Sequence, residues 1–284
     1  MNRFYPLTVK TIERITPRAV TVAFRIPETL NEKFLFTAGQ YITIKKELNG
    51  AELRRSYSVC TSPKSGELKI GVKKTDSGVF SRYVNSALRE GDVLEVHPPE
   101  GRFVFIPEKD KERRIMAFAA GSGITPVMSI MKTVLEEEPQ SSFVLVYGNK
   151  SVTETMFYEE LLQLTKTYPR RLSVHNVYSE SREENALFGR IDRAVVNYVL
   201  KNRHKDQAFD AFYLCGPEVM IHTVTEVLQD NSIEKERIFF ELFTSPEMQQ
   251  EIPPDTEGKT HVTVVLDNME TSFVMDKKQR ILDA

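Results

Sequence analysis

At 284 residues the chain is long enough for two domains, each with its own core. Its 40% hydrophobic and 27% charged residues are ordinary for a globular protein, and a net charge of −2 supplies no electrostatic footprint for nucleic acid. The amino terminus lacks the charged-then-apolar pattern of a signal peptide and no apolar run is long enough to span a bilayer, so no membrane association is expected. Cys60 and Cys215 lie too far apart in sequence to build a disulfide framework, and a reducing cytoplasm is the expected setting. The histidines at 97, 175, 204, 222 and 261 show no metal-ligand spacing and read as ordinary surface or core residues.

Over 1–107, short alternating or β-rich runs recur between turn signals, at 7–12, 19–26, 40–44, 55–60, 67–72 and 93–97. Turn residues at 63–66 and at Gly91-Asp92 punctuate them, and one helical stretch, 81–89, interrupts them. Many short strands at this spacing predict an antiparallel β-barrel. Over 108–243 the rhythm becomes strand, helix, strand. Runs at 114–119, 143–147, 172–178, 212–215 and 238–242 suit buried parallel strands, with helices at 125–137, 155–167, 191–200 and 217–228 between them. The first of these helices carries Val127, Ile130, Met131, Val134 and Leu135 as one apolar stripe. The order predicts an α/β domain with a doubly wound parallel sheet, whose ligands gather at the carboxyl ends of the strands. Residues 244–258 turn polar, acidic and Pro-containing, like a linker. A last segment, 259–284, begins a β-rich hairpin that reads as an incomplete domain.

Three motifs fall on these elements. Arg55-Ser56-Tyr57-Ser58 opens a predicted strand, where alternation puts Arg55 and Tyr57 on one face. A guanidinium offers a planar fork to a diphosphate, a tyrosine ring can stack on a flat heterocycle, and a serine hydroxyl can bond a ring nitrogen. Taken alone, such a pair is more often solvated strand surface. Gly78-Val79-Phe80-Ser81 follows, with Ser81 placed as a helix N-cap whose free N–H groups favour an anion; a simple turn and cap explains it equally well. Gly121-Ser122-Gly123-Ile124-Thr125-Pro126 comes straight after a strand. It suits close backbone approach to a pyrophosphate, with Thr125 as N-cap and Pro126 at the first helical position, although Pro126 replaces the third glycine of the dinucleotide fingerprint. Cys215-Gly216-Pro217-Glu218 ends another strand of the same sheet. Its cysteine could be a small core residue, but both turns should share one sheet edge and could grip one dinucleotide from two sides.

In this order the motifs resemble the ferredoxin–NADP reductase superfamily over about residues 5–243. The resemblance implies a β-barrel FAD domain followed by an NAD(P)-binding α/β domain. It implies that Arg55 holds the FAD diphosphate, Tyr57 stacks on the flavin and Ser58 bonds near its reactive nitrogen. Val72 and Lys73 would border the cofactor's ribose and diphosphate, and Gly78 and Ser81 would complete that site. Gly121, Gly123, Thr125, Gly216 and Pro217 would take the nicotinamide dinucleotide, Cys215 would lie beside its reacting ring, and Glu241 in Phe239-Phe240-Glu241-Leu242-Phe243 resembles the family's flavin-proximal glutamate. Ser58, Cys215 and Glu241 are thus the expected catalytic residues.

The likeness is greatest to the oxygenase-reductase branch typified by the phenylacetyl-CoA epoxidase reductase, where a plant-type ferredoxin domain follows the linker. Here 261–266, the turn Asp267-Asn268 and 271–275 resemble that domain's opening hairpin, and 279–284 resembles the start of its first helix. The four cluster cysteines are not in this sequence, so a 2Fe-2S cluster is expected only in a longer form, of which this chain would be a shortened or proteolysed piece. For the 2′-phosphate of NADPH, Asn149 and Lys150 follow one strand and Ser179 with Arg182 follow the next. These groups lean the reading to NADPH, while the carboxylates Glu180, Glu183 and Glu184, which would weaken an anion site, leave NADH open.

The resemblance implies a flavin-dependent oxidoreductase. Hydride passes from NAD(P)H to FAD, and single electrons pass on to a ferredoxin, a flavodoxin or an oxygenase component. One alternative is an FAD-binding electron-transfer subunit of a larger complex that free NAD(P)H does not reduce. Another is a nucleotide-sensing module without turnover.

Overall fold

The computed structural model describes residues 3–48, 50–243, 259–266 and 269–276. It divides into two units, Met1–Leu242 and Phe243–Ala284.

The first unit opens with a six-stranded antiparallel sheet made of β1 (Tyr5–Thr16), β2 (Ala19–Arg25), β3 (Tyr41–Leu48), β4 (Ala51–Ser58), β5 (Lys69–Lys73) and β6 (Val93–Val96), in the order β4-β3-β6-β1-β2-β5. A bridge between Val59 and Ile70, with the Cys60 N–H donating to the Lys69 carbonyl at 2.9 Å, joins the two edge strands and closes a barrel. Alternate side chains, among them Leu7, Val9, Val20, Val22, Ile42, Ile44, Ile70 and Val72, fill its interior. The helix α1 (Val79–Ser86) plugs one end with buried Phe80 and Val84.

Two strands are longer than their apolar runs suggest. β1 pairs with β6 through Tyr5–Thr8 and with β2 from Thr8 onward, and register shifts after Val9 and Arg14 break the alternation that sequence reading relies on. β4 begins at Ala51 because its exposed, polar first half still pairs with β3, Lys46 opposite Leu53 and Glu47 opposite Glu52. A 3₁₀ helix, Glu28–Phe34, was not predicted; buried Phe34 anchors it.

The second sheet is parallel and contains β7 (Arg114–Ala120), β8 (Ser142–Asn149), β9 (Leu172–Tyr178), β10 (Leu187–Phe188), β11 (Ala211–Gly216) and β12 (Ile238–Leu242), in the order β10-β9-β8-β7-β11-β12. Helices α2 (Ile124–Glu137), α3 (Tyr158–Thr167), α4 (Arg193–Tyr198) and α5 (Glu218–Asp230) cover it. Ile115, Ala117 and Ala119 of β7 join the cluster holding α2 and Leu161 of α3, whereas Met116 and Phe118 join the one holding α4 and α5. The sheet is therefore covered on both faces, and strand order reverses between β7 and β11, which opens a crevice at their carboxyl ends.

Two helix starts shift for identifiable reasons. α3 begins at Tyr158 rather than 155 because Phe157 sits in the left-handed region at φ 61°. α4 begins at Arg193 because Asp192 accepts the Val195 N–H at 2.9 Å, and a π-helical turn, Val199–Arg203, extends its far end.

The connection between the two sheets is fastened by a buried carboxylate. Glu138, just after α2, accepts bonds from the Glu108 N–H (2.8 Å), the Ser141 hydroxyl (2.6 Å) and the Arg113 guanidinium. Burial pushes its pKa up, but the bonds from Arg113, Ser141 and the Glu108 N–H outweigh that and hold it below the ordinary carboxylate value. Arg171 closes the carboxyl end of α2, donating to the carbonyls of Val134, Leu135 and Glu138.

The second unit contains an antiparallel hairpin, β13 (Lys259–Leu266) with β14 (Met269–Asp276), with Leu266 opposite Met269. The expected linker 244–258, the turn Asp267-Asn268 and the helix start at 279–284 lie outside the described residues.

Candidate functional site

Arg55, Tyr57 and Ser58 close β4, on the side of the barrel where α1 begins. The Tyr57 ring is half-buried and lies 5.9 Å from that of Phe80 in α1. Burial pushes its phenol pKa well up against the opposing charge of Arg55, so the ring stays neutral. Arg55 is half-buried, with its Nη1 on the Arg54 carbonyl at 2.8 Å. At the start of α1, a Cβ at Gly78 would collide with the Thr75 and Ser81 hydroxyls. The glycine thus lets the turn from Thr75 to Ser81 close tightly where α1 begins, and the first N–H groups of a helix have no intrahelical partners.

Ser81 is not the N-cap. Gly78 is, and Ser81 stands in the helix's first turn, donating to the Gly78 carbonyl at 3.1 Å and accepting the Thr75 N–H at 3.2 Å. Buried Phe80 explains the earlier start, since its anchoring draws Val79 and Phe80 into the helix. Val72 is buried, and its carbonyl accepts from Asn85 of α1 at 3.2 Å. The Lys73 amine lies 3.5 Å from the Glu154 carboxylate of the other domain. A guanidinium, a neutral aromatic ring, a glycine turn and a helix N-terminus are group types suited to a dinucleotide flavin.

At the sheet's switch point, β7 ends at Ala120 and Gly121 takes φ 55°. A 3₁₀ turn, Gly121–Gly123, then leads directly into α2. A Cβ on Gly123 would strike the Cys215 carbonyl, and one on Gly216 would stand 3.1 Å from the Ala120 nitrogen, so the two turns pack backbone on backbone. Thr125 is not the N-cap either: the 3₁₀ turn extends the helix backward, Gly123 becomes the cap, and the Thr125 hydroxyl donates to the Ser122 carbonyl at 3.0 Å. Pro126 is correspondingly inside the first turn rather than at the first helical position. Pro217 directly precedes α5, as expected for a residue with no N–H to lose.

The two domains meet at the carboxyl end of β12. Glu241 is opposite Cys215 in the β11–β12 register, and it accepts a hydrogen bond from the Ser58 hydroxyl at 3.2 Å. Burial raises the Glu241 pKa to about 7, with the Ser58 bond pulling the other way. Cys215 is fully buried, and burial together with the Glu241 charge holds it as a thiol. The structure therefore brings Ser58, Cys215 and Glu241 together from positions far apart in sequence, around a carboxyl that can hold or release a proton near neutral pH.

The outer half of the sheet edge departs from its sequence reading. Lys150 pairs with Glu180 at 3.1 Å, and Arg182 lies over the Phe188 ring at 4.6 Å. Ser179 contributes its backbone N–H to the Asn149 carbonyl at 3.0 Å. The polar atoms that lack a hydrogen bond of good geometry here are both amide atoms of Asn149, Oδ1 of Asn176, the Tyr178 hydroxyl and the Ser181 hydroxyl. Buried polar atoms left open at strand ends suit a ribose or a heterocycle. Asn176, Tyr178 and Ser181 escaped sequence reading because they sit within or next to an apolar run with no motif of their own.

The histidines were read as ordinary, yet His175 and His204 face each other at 2.8 Å between Nε2 atoms, with Gln207 on the far ring nitrogen at 3.2 Å. Burial first, then His204, pushes His175 down to about 4, so this pair is neutral. No signal in the sequence joins positions 175 and 204.

Comparison with known proteins agrees with this geometry. The family model "Oxidoreductase FAD-binding domain" matches residues 6–105, and "Oxidoreductase NAD-binding domain" matches residues 118–226. The chain is 35% identical to a component protein of the 1,2-phenylacetyl-CoA epoxidase from Escherichia coli, over 100% of its own length and 81% of the relative's. It is 32% identical to the ferredoxin reductase component of 3-ketosteroid-9-alpha-monooxygenase from Rhodococcus rhodochrous, over 86% of this chain and 66% of that protein. In fold it is similar to a cytochrome P450 reductase from Amycolatopsis, with a TM-score of 0.73 at 22% identity, covering 86% of this chain and 72% of that one. Among the described residues no helix is long and apolar enough to cross a membrane. The chain belongs to the ferredoxin reductase family of NAD(P)H-dependent flavoprotein oxidoreductases, with an FAD-binding barrel followed by an NAD-binding α/β domain.

Proposed function

We propose that this chain is the reductase component of an oxygenase system, taking hydride from NAD(P)H and delivering single electrons to an oxygenase component or a small iron–sulfur or flavin protein. Two relatives carry reductase-component or epoxidase names of that kind. FAD, when bound, couples a two-electron donor to one-electron acceptors. Free thiols at both cysteines are compatible with a cytoplasmic setting.

The observation that carries the reading is the meeting of Ser58, Glu241 and Cys215 where the barrel adjoins the sheet's switch point. Arg55, the backbone at Val72 and Lys73, Gly78 and Ser81 would hold the flavin's diphosphate side, with Tyr57 against its ring. Gly121, Gly123, Thr125, Gly216 and Pro217 would shape the dinucleotide's bed, and Cys215, an uncharged thiol, would wall the reacting ring without repelling it. Asn149, Lys150, Ser179 and Arg182 would border its adenosine end, with the open polar atoms of Asn176, Tyr178 and Ser181 beside them. Glu241, poised near neutral, would keep a proton within reach of Ser58 at the reacting face. A 2Fe-2S cluster would need four cysteine ligands, and this sequence carries two cysteines.

Anaerobic mixing of the FAD-loaded protein with NADPH, and separately with NADH, tests the reading. Rapid bleaching of the flavin band with at least one of them is expected. A flavin that binds but bleaches with neither, and only on adding a partner protein, would favour the alternative of an electron-transfer protein within a larger complex. A protein that binds no FAD would overturn both.

A further inference from the structure

β8 ends at Asn149, and the chain that follows leaves its own sheet to touch the barrel. It passes through a short 3₁₀ turn, Val152–Glu154, and then places Thr155, Met156 and Phe157 in buried positions before α3 begins. The Glu154 carboxylate faces the Lys73 amine at 3.5 Å, and both side chains are about one-fifth exposed (20% and 21%). Arg18 of the barrel also feels Glu154, while its guanidinium is bonded to Asp76 and to the Lys74 carbonyl, and Asp76 in turn feels Lys150. Charges from the two domains therefore alternate along the seam, with Lys150 and Glu154 on one side and Asp76, Arg18 and Lys73 on the other.

Next to this pair lies Gly71, in the middle of β5, at a backbone conformation that any residue could adopt. Its lack of a side chain is a packing requirement. A Cβ there would stand 2.7 Å from the Thr125 methyl, 3.1 Å from the Met156 methyl and 3.2 Å from the edge of the Phe157 ring. A glycine inside a strand marks such a close approach. Phe157 reaches this seat with φ 61°, a conformation that an aromatic residue keeps only where its surroundings over-determine it. Thr125 lies in the first turn of α2, directly after the Gly121 turn, and Val72 and Lys73 follow Gly71 directly. One contact thus ties the start of α2, the segment after β8 and the flavin-side strand to a common point.

We propose that segment 150–157 is an inter-domain strap, and that Glu154 and Gly71 are positioning residues that set the approach of nicotinamide to flavin. The inference rests on the reductase reading above. Neither residue touches the reacting atoms; they act through Lys73 and through the Thr125 and Phe157 side chains. Hydride transfer needs reacting atoms held within a narrow distance, so a displacement on the order of 1 Å costs up to about a hundredfold in rate.

The test uses the FAD-loaded protein with Glu154→Gln, Lys73→Met, the double variant and Gly71→Ala, followed by stopped-flow bleaching at saturating dinucleotide. Glu154→Gln is expected to slow the limiting rate by about twofold to fivefold, in keeping with loss of one partly exposed ion pair. It should also weaken the long-wavelength absorbance of the stacked rings, while FAD content and dinucleotide affinity change by less than about twofold. The double variant should be no slower than the slower single variant, because the two act as a pair. Gly71→Ala should be slower still. A double-mutant cycle by urea unfolding of the FAD-free protein should show coupling between positions 73 and 154. Wild-type rates in Glu154→Gln, additive effects in the double variant, or a loss that only tracks FAD content would each overturn the strap. A wild-type protein that does not bleach would instead overturn the reductase reading, and the urea cycle would still decide whether the strap exists.

Discussion

Replacing Glu241 with glutamine should stabilise the FAD-free protein above neutral pH and leave it unchanged in acid. In the folded chain the carboxyl titrates at about 7, against an ordinary 4.5, because it is buried between the domains. Between those values the unfolded chain has released the proton while the folded chain keeps it, so stability falls as pH rises through that window and levels off above about 7. At about 1.4 kcal/mol per tenfold change in proton affinity, the full difference corresponds to about 3 kcal/mol. Glu241 is half-buried rather than sealed, and water screens part of this, leaving about 1–3 kcal/mol. Glutamine has the same shape, still accepts the Ser58 hydroxyl bond and never ionises. Thermal melts by circular dichroism at about pH 4.5 and about pH 8 should therefore differ less for the variant. Its gain at the higher pH should be roughly 4–8 °C for 2 kcal/mol. Parallel wild-type and variant melting curves across the window, or a variant less stable at high pH, would show that the carboxyl is not held protonated by its surroundings.

Cys215→Ala should lower the limiting rate of flavin reduction by more than about fivefold while weakening dinucleotide binding by less than twofold, because the thiol is neutral, fully buried and packed against Gly123. Equal reduction rates in stopped-flow would remove Cys215 from the reacting face. Glu138→Ala should cost about 3–5 kcal/mol in urea unfolding, since it strands the Arg113 guanidinium and the Glu108 N–H that now share one buried carboxylate. A loss below about 1 kcal/mol would mean that the connection between the two sheets holds without this clamp.

What the sequence disclosed follows from the range of each signal. The β7–β12 sheet was legible because strand, glycine turn and helix succeed one another within a few residues, as at Ala120, Gly121 and Ile124. Barrel strands were legible where alternation was clean and blurred where register shifts broke it, as in β1. The N-caps at Ser81 and Thr125 were misplaced by two residues or more for a shared reason. A hydroxyl three positions into a glycine turn can either cap the next helix or bond back to the turn, and only tertiary anchoring, by Phe80 in one case, selects between them. Ser58 and Glu241 could be named from motifs, but their contact spans 183 positions and depends on how two domains dock. The Glu154–Lys73 pair and the seat at Gly71 belong to the same class: nothing local distinguishes Gly71 from any other strand glycine.

The choice between NADH and NADPH shows why residue type alone misleads at such a site. Lys150 and Arg182 looked like cations placed for a 2′-phosphate. In the fold one is paired with Glu180 and the other covers the Phe188 ring. A 2′-phosphate could recruit them only by displacing those partners, so their charge enters its binding free energy as a difference between two pairings. The exposed Lys150–Glu180 pair is worth about 1 kcal/mol or less, which a dianionic phosphate can outbid, whereas the side chains of Asn149, Asn176 and Tyr178 hold no ion pair that must be broken and would serve either dinucleotide. Removing the competitor rather than the cation is therefore the informative change. Glu180 is the group whose loss would free Lys150 without taking anything from the shared part of the site, and its effect should appear with NADPH and be absent with NADH.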